Sequence, residues 1–212
     1  MKIITSILDL SQPDKKRLGR VAAYVSSLMA DNQDPYRYDY LIRLIDMASS
    51  FGWKFNLPQM YAIFFHRVKY FSFNHNNFLF NYQFFIGYCE REKMNGLIIP
   101  NLIKGRVKQI LLSIEKNIPL SEESKLVMDL VNSDLGFDLN DFIYFQSLLQ
   151  TNYYGFLNND EYNFIKGREF ENILKRPNIF HTNIGKEVLE KEARENLNYF
   201  IKKFKPANPL IH

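Results

Sequence analysis

The segment Phe65-His66-Arg67-Val68-Lys69-Tyr70 sets a metal-binding side chain directly beside one that opposes a metal. A neutral imidazole offers a lone pair to a metal ion or carries a proton in acid–base work. Arginine is a permanent cation with donors only, so Arg67 adds positive charge next to His66. Two positive centres about 4 Å apart repel by several kcal/mol at an effective dielectric near 20. Upstream, Asp39 and Arg43 stand four residues apart with the acid first, a spacing that pairs them on one helix face.

The remaining reactive side chains are scattered. His75 and His181 fall in predicted loops, His212 is terminal, and no His-x-x-x-His spacing supplies a second metal site. Cys89 has only Arg91 nearby to lower its pKa, which argues against a nucleophile. Gly155 and Gly167 are isolated and build no phosphate-cradling loop. The run Tyr70-Phe71-Ser72-Phe73 before Asn74–Asn77 reads as a core plug or protein interface, with a base-stacking surface as the alternative.

The chain has 212 residues, enough for one sizeable domain, and 46% of them are hydrophobic. With 19 Phe and 13 Tyr the core should be rich in rings. A net charge of +4 is mild; it admits a phosphate-bearing ligand but does not select nucleic acid, and no nucleic-acid partner is expected. The single cysteine excludes an intrachain disulfide framework and thiolate zinc clusters. The N-terminal apolar run is too short for a signal peptide and is interrupted by Asp9. No run approaches a membrane span, so no membrane association and a cytoplasmic location are expected.

The elements that must position these groups read as helical almost throughout. Ser11-Gln12-Pro13-Asp14 resembles a capping box, followed by a helix with Leu18, Val21, Val25 and Leu28 or Met29 inward. A second helix is predicted over about Pro35 to Phe51, with Tyr38, Leu41, Ile45 and Ala48 inward and Gly52 as its stop. Asn56 caps a third helix carrying Tyr61 to His66. Phe71 to Asn77 reads as a loop. Further helices are predicted over Phe78 to Arg91, Asn101 to Lys116 and Ser121 to about Asn132, the last with Leu126, Val127 and Leu130 inward. Asp138 caps another, ending near Tyr154-Gly155; Asp160 to Lys175 and Asn183 to Phe204 close the chain. The charges of that final stretch, including Glu190 and Arg194, read as a solvated face. The expected architecture is all-α, a single helical domain over residues 1–212.

The order of these motifs resembles the HD superfamily of metal-dependent phosphohydrolases, most strongly over residues 35–204. Pro35, Arg37, Tyr38 and Leu41 match the frame of the family's second-helix motif, but its two histidine positions are Asp39 and Arg43. Phe65, His66 and Tyr70 match its Phe-His-Asp motif, with Arg67 at the aspartate. A later acidic motif corresponds to Val131-Asn132-Ser133-Asp134-Leu135, with Asn132 at its first aspartate and Asp129 nearby. Phe142, Phe145, Leu149 and Tyr153 keep the apolar spacing of the next segment, while Gln150 and Asn152 replace its charged positions. Gly167-Arg168, Arg176, Ile179-Phe180, Glu190, Ala193-Arg194 and Asn196-Leu197 fit the closing segment.

The resemblance implies an HD-like helical bundle whose metal site has been replaced. Its remnant pocket would comprise Asp39, Arg43, His66, Arg67, Asn132 and Asp134, with no metal, no cofactor and no catalytic residue. An Asp39–Arg67 bridge would fill the vacated position. The implied role is a catalytically inactive binding or regulatory module with a protein partner. One alternative is a nucleotide or phosphate-ligand binder, in which Arg43 and Arg67 present forked donors. The other is a divergent metal-dependent phosphohydrolase using Asp39, His66 and Asp134.

Overall fold

The computed structural model describes the backbone of residues 12–31, 35–70 and 76–205, and the side chains of all of these except 12–15, 30–31 and 35–39. Every regular element among the described residues is helical. The chain divides into two compact units, Met1–Val131 and Asn132–His212.

The first unit contains α1 (Gln12–Asp31), α2 (Pro35–Ser50), α3 (Leu57–Phe65), α4 (Asn77–Met94), α5 (Asn101–Lys116) and α6 (Glu122–Val131). Its centre is α3, which packs on α1, α4, α5 and α6. All nine residues of α3 are buried, because a helix apolar on every side needs neighbours on every side. Asn56 and Gln59 start it with a reciprocal capping box. The Asn56 and Gln59 side chains also donate to Glu123, whose carboxylate Arg106 of α5 engages, so one polar cluster ties α3, α5 and α6. Around α3 lie the rings of Phe65, Phe85 and Tyr88, with Phe65 and Phe85 edge-to-face at 5.5 Å.

Leu18, Val21 and Val25 are buried, and Met29 completes the stripe instead of Leu28. Leu41, Ile45 and Ala48 are buried on α2, and Gly52 follows at φ +64, the left-handed conformation that stops the helix. The expected Ser11 cap and the inward Tyr38 lie outside the described residues. Three boundaries differ from expectation. The third helix ends at Phe65, so His66 and Arg67 occupy the turn after it. The fourth runs from Asn77 to Met94, longer at both ends than Phe78 to Arg91. On α6, Leu126 is only half-buried, and Met128 and Asp129 turn inward instead.

The second unit contains a 3-10 turn (Ser133–Gly136), α7 (Leu139–Tyr153), α8 (Asn159–Leu174), α9 (Asn183–Val188) and α10 (Glu190–Phe204). The expected Asn183 to Phe204 helix is broken at Leu189. Buried Leu189 packs against Gly136, where an added Cβ would lie 2.8 Å from the Leu189 Cβ. Past the break, the Glu190 carboxylate accepts the amides of Ile179 and Phe180 at 2.9 and 3.0 Å. Glu190 also pairs with Arg194, whose guanidinium donates to the carbonyls of Leu174, Arg176 and Pro177 after α8. The expected solvated charge pair is therefore a structural clasp on the end of α8. Asn196 is buried and donates to the carbonyls of Leu135 and Phe137 at 2.9 and 2.7 Å. Phe142 and Phe145 are buried on α7, and the Tyr162 hydroxyl donates to the Gln146 carbonyl at 2.9 Å.

Candidate functional site: the turn after the third helix

His66 caps the C-terminus of α3, where its backbone N–H still reaches Ala62. Its ring Nδ1 lies 2.7 Å from the Ile63 carbonyl oxygen. A carbonyl can only accept, so Nδ1 carries the proton and Nε2 keeps the lone pair. Burial, and then the charge of Arg67, lower the ring's pKa to about 3, so it is neutral at ordinary pH. Nε2 is buried and has no hydrogen-bond partner among the described residues. Proton on Nδ1, fixed by a carbonyl, and lone pair on Nε2 is also the tautomer of a metal-ligating histidine.

Tyr40 of α2 completes the local arrangement. Its ring centroid lies 5.8 Å from that of His66 and 4.2 Å from the guanidinium carbon of Arg67. Arg67 also faces the Tyr70 ring at 5.5 Å. The cation is held over aromatic faces, an arrangement worth about 0.5–2 kcal/mol. The Tyr40 hydroxyl donates to the Val131 carbonyl at 3.2 Å, anchoring α2 to the end of α6.

The turn itself is held by a residue that the sequence reading missed. Asn81 of α4 is buried; its Nδ2 donates to the His66 carbonyl at 2.7 Å and its Oδ1 accepts the Lys69 amide at 2.8 Å. One amide side chain thus satisfies two backbone groups that no helix could satisfy. The available signal was spacing: Asn77, Asn81 and Phe85 share one helix face, and asparagine is a poor helix-interior residue without a partner to fix it.

Of the six expected pocket residues, His66 and Arg67 lie together beside Tyr40. Arg43 is exposed on α2. The Asp39 side chain lies outside the described residues, and with it the expected pairs to Arg43 and Arg67. In the second unit, Asn132 is half-buried and caps the 3-10 turn, which carries the buried Asp134. Asp129 is buried on α6 of the first unit. No group of three or more His, Cys, Asp or Glu side chains among the described residues is arranged to hold a metal ion. Among the described residues, the donor set around His66 does not fit a divalent metal: it offers one imidazole lone pair and a neighbouring guanidinium.

Cys89 is buried, and burial pushes its thiol up to about 12, which suits a core residue and not a nucleophile. Within the described residues no helix is long and apolar enough to cross a membrane. Comparison with known proteins adds no relative: no family model, no curated protein and no solved structure matches the chain.

Proposed function

We propose that this chain is a binding or regulatory module on an HD-like helical scaffold, without metal-dependent hydrolysis. The observation that carries the reading is Arg67, a cation stacked 4.2 Å over Tyr40 directly after the buried His66. Among the described residues a second cation would meet both that charge and a single donor, whereas hydrolysis of a phosphoester by a metal-bound water needs several anionic or neutral donors. The fixed Nδ1–carbonyl contact then serves to hold the turn, together with Asn81.

The free lone pair of Nε2 favours one rival, a divergent phosphohydrolase drawing on Asp39, His66 and Asp134. Elemental analysis and Mn²⁺ titration of the purified chain separate the two. The expected result is no stoichiometric metal and no turnover of simple phosphoesters. Stoichiometric Mn²⁺ that disappears in His66→Gln overturns the non-catalytic reading. A thermal-shift series with mononucleotides examines the phosphate-ligand alternative, which requires a shift that Arg67→Ala abolishes.

A further inference from the structure

Away from the His66–Arg67 turn, α1 and α4 border a cavity of about 310 Å³. That is the small end of the range of roughly 300–1,000 Å³ for ligand pockets. Arg20, Ala23 and Tyr24 line it from α1, and Tyr88, Arg91 and Glu92 from α4. Glu92 is 3% exposed, and its carboxylate accepts from Arg20 Nε at 2.7 Å. The Arg20 side chain is 40% exposed, and its Nη donors remain beyond that one bond. Arg91 is exposed, with its guanidinium carbon 5.4 Å from the Tyr24 ring centroid.

A second buried polar group at this cavity is the Tyr88 hydroxyl. The residue is 1% exposed, yet its hydroxyl has no partner of hydrogen-bond geometry among the described residues. Burial, and then Glu92, raise its pKa, while the charge of Arg20 and the approach of its guanidinium donors to the hydroxyl oxygen offset part of the rise; a guanidinium only donates, so the hydroxyl hydrogen still has no acceptor. The hydroxyl is therefore a neutral donor beside Arg20 and Glu92. Burying a hydroxyl unpaired is unfavourable, and an acceptor entering the cavity would remove that penalty.

Charge and shape narrow the ligand. Arg20, Arg91 and Glu92 together leave one positive charge, which one negative charge balances. A dianionic phosphate would bring a second negative charge toward a buried carboxylate. The Tyr24 ring and the Ala23 methyl supply an apolar wall for a flat body. We propose that the α1–α4 cavity binds a small planar monocarboxylate, its oxygens held by Arg91, the Nη donors of Arg20 and the Tyr88 hydroxyl, and its body set against Tyr24. This site shares no residue with the His66 turn, so metal binding at His66 would leave it standing.

Benzoate is the test probe, titrated into the full chain by ligand-observed and protein-observed NMR, with benzamide and inorganic phosphate as controls. The expected result is saturable benzoate binding, with benzamide and phosphate each weaker by about tenfold or more, the equivalent of about 1.4 kcal/mol. Arg91→Ala, at an exposed position, should weaken benzoate by about tenfold. Tyr88→Phe should weaken it by about three- to tenfold without lowering the thermal midpoint. No saturable benzoate binding at millimolar concentration overturns the proposal. So does equal binding of benzamide, preference for phosphate, or indifference to both substitutions.

Discussion

Two sets of polar groups, one in each unit, are met differently. In the second, buried Asn196 and Tyr162 and half-buried Glu190 each meet backbone groups at 2.7–3.0 Å: Asn196 the carbonyls of Leu135 and Phe137, Glu190 the amides before α9, Tyr162 the Gln146 carbonyl. In the first, Asn81 and Gln59 are bonded in the same way, but Trp53 Nε1, Tyr61 Oη, His66 Nε2 and Tyr88 Oη are buried without a hydrogen-bond partner among the described residues. Satisfied groups of the first kind secure one arrangement of the chain, because removing either partner strands the other. Unsatisfied groups of the second kind weaken the fold where they stand and retain bonding capacity. The unmet groups of the first unit mark places where bonding capacity is retained.

The largest expected effect breaks or supports this contrast through pH. Unfolded, His66 titrates near 6.5; folded, near about 3. Between those values the unfolded chain holds the proton and the folded chain does not. The stability is fully present above about pH 6.5 and is lost as the pH falls toward 3. At about 1.4 kcal/mol per pH unit, going from pH 6 to pH 4 costs roughly 2–3 kcal/mol through this residue. Urea unfolding followed by the single, buried Trp53 reports on the first unit and should show this slope in the wild type but not in His66→Gln. Equal slopes would mean that His66 is not a buried neutral ring.

Asn196→Ala comes next, because it strands the Leu135 and Phe137 carbonyls and should cost about 2 kcal/mol. Far-UV circular dichroism during urea unfolding measures it, and a neutral result would remove the securing role assigned to Asn196. A matched pair sharpens the contrast at the smallest scale. Tyr162→Phe deletes a hydroxyl bonded to Gln146 and should destabilise by about 1 kcal/mol. Tyr88→Phe deletes a hydroxyl with no such bond and should be neutral or stabilise by up to about 1 kcal/mol. If both tyrosines lose equally, the difference between the two sets is not one of hydrogen bonding.

Much of the fold was legible because helix signals are local. Asn56 with Gln59 is a capping box, and Asp138 accepts the amides of Asn140 and Asp141. The Leu18, Val21, Val25 stripe was readable from its spacing alone. The break at Leu189 was not: it depends on Gly136, distant in sequence, leaving room for the Leu189 side chain. The role of Arg194 was hidden for the same reason. On one helix it reads as half of a surface ion pair with Glu190, and only the packing of α8 brings three carbonyls to it.

The candidate site divides along the same line. That a permanent cation follows His66 is set by chain order, and it bears on metal chemistry wherever the fold places it. Chain order also sets the all-helical character, since periodicity, caps and the lack of strand patterning are properties of neighbouring residues. Packing between helices is what puts the His66 lone pair on Nε2, closes Asn81 on its turn, and lays Tyr40 under the Arg67 guanidinium. It also set Arg20 on Glu92 beside an unpartnered Tyr88 hydroxyl, across a cavity between α1 and α4. The physical reason is range: a cap or a stripe is specified within a few residues, whereas burial, tautomer and unmet hydrogen bonds depend on which distant helix packs against them.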